Sequence, residues 1–110
     1  MRVWLIGAGQ AGTEALRQLY KNEEIEVIVT AAEERPLAVQ QGILSKVDYI
    51  DVVNPVNINT LARRIRPNLI LVDASAVSGL GRVTGGSQFS QSLIYEMATA
   101  SDYPCLILGM

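Results

Sequence analysis

The sequence predicts an α/β domain in which a five-stranded parallel sheet, strand order 3-2-1-4-5, lies between two layers of helices. Three observations lead there. Apolar runs recur about every 20–25 residues, the repeat of a strand-plus-helix unit and not of a hairpin. One of them, Leu69-Ile70-Leu71-Val72, shows no polar alternation, as expected of a strand covered on both faces. The turn Gly7-Ala8-Gly9-Gln10-Ala11-Gly12 joins the first run to a helical pattern. With right-handed crossovers, such alternation closes into three layers.

The elements follow in order. Val3-Trp4-Leu5-Ile6 reads as the first strand. The helix after the glycine turn, through Tyr20, gathers Ala15, Leu16 and Leu19 on one face. Residues 25–29 make a second strand. Pro36 suits a helix start, and Leu37, Val39, Gln40, Ile43 and Leu44 continue with a looser helical period. Residues 49–53 read as a third strand, stopped by Asn54-Pro55. Asn57 or Asn59 suits the cap of a helix carrying Leu61, Ala62 and Ile65, which Arg66-Pro67 ends because the residue before proline avoids the α region. After the fourth strand comes a glycine-rich loop over residues 78–87. A helix over residues 89–100 and a strand over residues 105–108 complete the pattern, with no repeat, linker or internal boundary, so residues 1–110 form one domain.

Bulk composition narrows the function. At 110 residues, 49% hydrophobic and 18% charged, the chain supports an ordinary globular core. Nine basic against eleven acidic residues, net charge −2, do not signal a nucleic-acid partner. Arg63, Arg64 and Arg66 read as a solvated helix end. The single cysteine, Cys105, lies in an apolar run and reads as a small buried hydrophobe. Histidine is absent, so the commonest general base and the commonest metal ligand are both missing, and no metal site is expected. No signal peptide or membrane span is legible, which predicts a cytoplasmic protein without membrane insertion.

The chemistry concentrates in the glycine turn. Gly7 permits the tight turn, Gly9 leaves room for a pyrophosphate against the backbone, and Gly12 lets helix and strand approach. The helix directs its unpaired N–H groups and positive dipole end at the same point. Gly7, Ala8, Gly9, Gln10, Ala11 and Gly12 are therefore the candidate phosphate contacts. In a doubly wound sheet the ligand crevice opens where strand order reverses, which adds Ala74 and Ser75 after strand four and the loop over residues 78–87. At the end of strand two, Thr30 or Ala31 stands where a ribose-binding acid is usual. Without that acid a 2′-phosphate is not repelled, and Arg35 can pair with it, while Glu33 and Glu34 oppose it. NAD and NADP both stay open, as does an adenine nucleotide.

On these residues the first half of the chain, to about Val53, resembles the nucleotide-binding regulatory domains of potassium channels and transporters, the TrkA N-terminal or RCK type. It also resembles the N-terminal Rossmann halves of dehydrogenases. Ile28-Val29-Thr30-Ala31-Ala32-Glu33-Glu34-Arg35 follows the regulatory family's second-strand rhythm, with Thr30 at the acid's place. The family's third strand usually precedes a Gly-Asp pair near the adenine. Here Asn54-Pro55-Val56-Asn57 follows it, so the resemblance places Asn54 and Val56 beside the base or ribose by position.

The residues favour a small binding or sensing module for a dinucleotide, without catalytic residues; fold analogy adds pairing as a homodimer and leaves a larger protein partner open. The alternative is an NAD(P)-dependent oxidoreductase domain working with a partner chain or further domain. Asp73 and Ser75 would then be its polar candidates, although strand-end turns use the same residues. A dehydrogenase needs substrate contacts and an acid/base group from elsewhere. No tyrosine here is followed four residues later by lysine, the short-chain dehydrogenase pair. The stretch ending at Asp73 also looks like the phosphorylated strand of response-regulator receivers, but strand one ends in glycines instead of the paired acids that would bind Mg²⁺.

Overall fold

The computed structural model describes residues 1–77 and 94–109. The loop expected over residues 78–87, and the start of the helix expected from residue 89, lie outside the described residues. The elements are β1 (Arg2–Ile6), α1 (Gln10–Leu19), β2 (Glu26–Ala31), α2 (Leu37–Gln40), β3 (Tyr49–Ile50), α3 (Ile58–Ile65), β4 (Leu69–Asp73), α4 (Ala74–Val77), α5 (residues 94–100) and β5 (Cys105–Leu108). All strand pairs are parallel, in the order β3-β2-β1-β4-β5. This is the Rossmann-like arrangement expected from the sequence.

Side-chain alternation along the central strand builds two cores. Val3 and Leu5 of β1 pack with Leu16 of α1, Ala38 of α2, Val29 and Leu71. Trp4 and Ile6 face the other way, onto Ile58, Ala62 and Ile65 of α3, and onto Ile94 and Met97 of α5. Successive residues of a strand point to opposite faces, so one strand supplies both layers.

Register follows from β1: Ile6 pairs with Thr30 on one side and with Val72 on the other. The strand ends therefore align along one edge. At the opposite edge, Arg2 donates to the Ile65 carbonyl and pairs with Glu26 at 3.1 Å, tying the end of α3 to the sheet.

Three elements depart from the expected bounds. α2 stops after one turn because Gly42 takes a positive φ of 76°. The following N–H groups of Ile43 and Leu44 both return to the Ala38 carbonyl, which closes the turn and buries Leu44. β3 has two residues instead of five. Asp48 caps its start by accepting the Val29 N–H at 2.7 Å, and the chain leaves the sheet after Asp51 donates to the Ala31 carbonyl. The α3 N-cap is Asn57, but its side chain does not bond the helix. Asn54 does the local turn work instead, accepting from Val56 N–H at 2.8 Å and Asn57 N–H at 3.0 Å. Asn59 holds the α5–β5 loop, donating to the Ala100 carbonyl and accepting from Asp102 N–H. Arg66 ends α3 in the left-handed region at φ 56°, one residue before Pro67.

Cys105 is half-buried, and burial pushes its thiol above the ordinary value. Among the described residues, no helix is long and apolar enough to cross a membrane and no cluster could hold a metal ion.

Candidate functional site

The β1–α1 turn meets the end of β4 at the point where strand order reverses. Gly7 leaves β1 at φ 89°, and its N–H donates to the Thr30 carbonyl at 2.7 Å, so the turn is anchored to β2. Gly9 caps α1 without a side-chain bond. A helix start leaves its first N–H groups without intrahelical partners. Here those groups divide into two sets.

The inner set is taken by the protein itself. The Gly12 N–H donates to Asp73 Oδ2 at 2.7 Å, and the Ala11 N–H donates to Ser75 Oγ at 3.1 Å. Asp73 is wholly buried, and its second oxygen accepts from Ser75 N–H at 2.8 Å, Ser75 O–H at 2.5 Å and Ala76 N–H at 3.3 Å. Among the described residues, four donors thus surround one carboxylate, and none is a cation. The outer set, the N–H groups of Gly9 and Gln10, has no acceptor among the described residues. Gln10 is exposed and Gly9 partly so. The Ala11 and Gly12 amides, expected to be bare, are taken by Ser75 and Asp73; those of Gly9 and Gln10 bond no described residue.

The glycines also prove to have other duties than expected. A Cβ on Gly9 would lie 3.0 Å from the Ala76 nitrogen and 3.1 Å from its Cα, so the bare face of Gly9 is packed on α4. A Cβ on Gly7 would meet the Ala76 Cβ at 2.9 Å. On Gly12 it would stand 2.7 Å from both the Gly7 carbonyl oxygen and Asp73 Oδ2. The close helix–strand approach expected at Gly12 is therefore present, with the Asp73 carboxylate added to it. Gly109, after β5, closes the same junction, its missing Cβ falling 2.9 Å from the Ala11 Cβ.

Among the remaining sequence candidates, the side chains of Thr30 and Asn54 are already engaged. Thr30 is buried, and its Oγ accepts the Trp4 indole N–H at 2.8 Å. Ala31 is buried, and its carbonyl accepts the Asp51 N–H. Asn54 holds its own turn, whereas Val56 is 91% exposed. Arg35 is exposed, its carbonyl accepting from Gln40 Nε2 at 2.9 Å. Ala8 and Ala74 are buried as packing residues, and Ala8 O also accepts the Ala38 N–H.

A cavity of about 200 Å³ lies on the α3 side of β2 and β3. Ile50, Leu61 and Ile65 line it together with the polar Thr30, Tyr49, Asp51 and Arg64. It exists because β3 is too short to cover α3. Sequence reading misses it: Arg64 reads as part of a solvated helix end, and it is exposed, but the spacing of Leu61, Arg64 and Ile65 also puts all three on one face. Pockets for drug-sized ligands run about 300–1,000 Å³, and this one is smaller.

No protein-family model matches the chain, and no curated protein matches it. Among solved structures it is similar to UDP-GlcNAc 2-epimerase from Neisseria meningitidis bound to UDP-GlcNAc, with a TM-score of 0.48 and 19% identity over 84% of this chain. The match spans 30% of that enzyme.

Proposed function

We propose that this chain is a small nucleotide-binding module that senses its ligand without transforming it, in the manner of the regulatory domains it resembles. The observation that carries this reading is the pair of outward N–H groups, Gly9 and Gln10, at the start of the ten-residue helix α1. Both sit at the reversal point of a doubly wound sheet, where backbone amides and the helix dipole favour a phosphate. The nucleoside end would extend along the strand ends toward Ala31, Arg35, Asn54 and Val56, where Val56 offers apolar surface to a flat base. NAD, NADP and adenine mononucleotides all present the required phosphate. Catalysis is disfavoured by the state of the two nearest polar groups: Asp73 and Ser75 bond each other and the turn, so neither is poised as base or nucleophile.

The packing of Gly7, Gly9 and Gly12 against Ala76 and Asp73 favours a second reading, in which the junction serves packing alone. Gln10→Pro separates the two. Gln10 is the first helical residue, where proline is tolerated because its N–H lacks an intrahelical partner. Gly9 before it lies outside the α region that proline disfavours in its predecessor, at φ −82° and ψ −150°. Calorimetry with NAD, NADH, NADP, NADPH, AMP, ADP and ATP should find a ligand for the parent. Gln10→Pro should then weaken binding about 10-fold or more, since a hydrogen bond to a charged group contributes roughly 1.5–3 kcal/mol. Thermal stability should hold. No binding to any of the seven, or equal binding by the variant, would overturn the assignment.

A further inference from the structure

We propose that the Asp73–Ser75 segment is an autoinhibitory clasp, a built-in anion that occupies the inner half of the phosphate site and must withdraw before a phosphate can use it. This rests on the nucleotide-binding reading and adds regulation to it. A carboxylate buried with no cation among the described residues is costly, and a junction serving packing alone could use a neutral side chain. Asp73 is instead held by the groups that would bind a phosphate: the Gly12 N–H directly, and the Ala11 N–H through Ser75 Oγ. The Ala76 backbone lies against the bare face of Gly9, the one surface a pyrophosphate needs to approach. While the clasp is shut, an anion reaches only the Gly9 and Gln10 amides, and the buried carboxylate repels it. Ligand and clasp therefore compete for one set of donors, and the state of α4 reports occupancy to whatever α4 touches.

The test compares a charged probe with a neutral one on the full chain. ADP and adenosine are titrated by calorimetry into the parent, Asp73→Asn and Ser75→Ala. The clasp predicts that both variants bind ADP about tenfold tighter than the parent, because the closed fraction no longer taxes the affinity, and bind adenosine as the parent does. A second measurement needs no variant. Saturating the parent with ADP should speed hydrogen exchange at the Ala76 N–H, whose acceptor is Asp73, while the Gly12 N–H stays protected by its new phosphate partner. ADP affinity unchanged by the substitutions, or an Ala76 amide still protected in the ADP complex, would overturn the clasp and leave nucleotide binding standing. Failure of the parent and both variants to bind either probe would overturn both.

Discussion

Replacing Thr30 by valine tests whether that residue reads a ligand or holds the core. Thr30 sits where a ribose-binding acid is usual, yet its hydroxyl accepts the Trp4 indole N–H at 2.8 Å, and both residues are buried. Thr30→Val keeps the shape and removes the acceptor. The indole N–H is then left unsatisfied in the core, a cost of about 1–3 kcal/mol. The added methyl returns roughly 0.8 kcal/mol of apolar burial. The net loss is up to about 2 kcal/mol, or up to roughly 16 °C in Tm for a domain of this size. Trp4 is the single tryptophan, so fluorescence-monitored denaturant titration reads the whole fold and this bond together. Its emission should shift as the indole loses its partner, while nucleotide affinity in the folded protein should hold. A variant as stable as the parent but defective in binding would refute the reasoning and return Thr30 to the ligand.

Two further perturbations follow from the packing. Gly12→Ala adds about 1 kcal/mol of helix propensity but drives a Cβ to 2.7 Å from the Gly7 carbonyl and Asp73 Oδ2, an overpacking cost of about 1–3 kcal/mol, so it should destabilise by up to about 2 kcal/mol net in chemical denaturation; a more stable variant would show the gap to be open. The Tyr20 phenol is raised above its ordinary 10.0 by burial and by the charge of Asp48. The folded state therefore holds that proton when the unfolded chain has lost it, and Tyr20 costs stability as pH rises from about 10 toward the raised value. Asp48→Asn keeps an acceptor for the Val29 N–H and removes the charge, so ultraviolet titration should place the phenolate transition lower than in the parent; an unmoved transition would exclude the Asp48 contribution.

Much of this architecture was legible in one dimension because it rests on local pattern. The period of apolar runs set five strands and the glycine turn set their order, since a strand that opens into such a turn belongs at the centre of a doubly wound sheet. Arg66-Pro67 marked the end of α3 correctly, although Arg66 leaves the helix through the left-handed region and not the extended one usual before proline. The errors came where a single residue broke a weak period. Gly42 ended α2 early, and at β3 a side chain of Asp48 replaced a strand bond. The cavity beside α3 was hidden because it depends on how far β3 fails to reach, a property of two elements together.

Sequence alone determined the sheet, its two apolar faces and the presence of a glycine junction, because strand alternation and turn stereochemistry act within a few bonds of each residue. Only tertiary structure decided what fills that junction. Asp73 lies 61 residues beyond Gly12, yet β4 runs beside β1 and delivers its carboxylate to within 2.7 Å of the Gly12 amide. A glycine that leaves space for an incoming phosphate and one that leaves space for a neighbouring helix are the same letter. The difference is made by the strand that ends opposite.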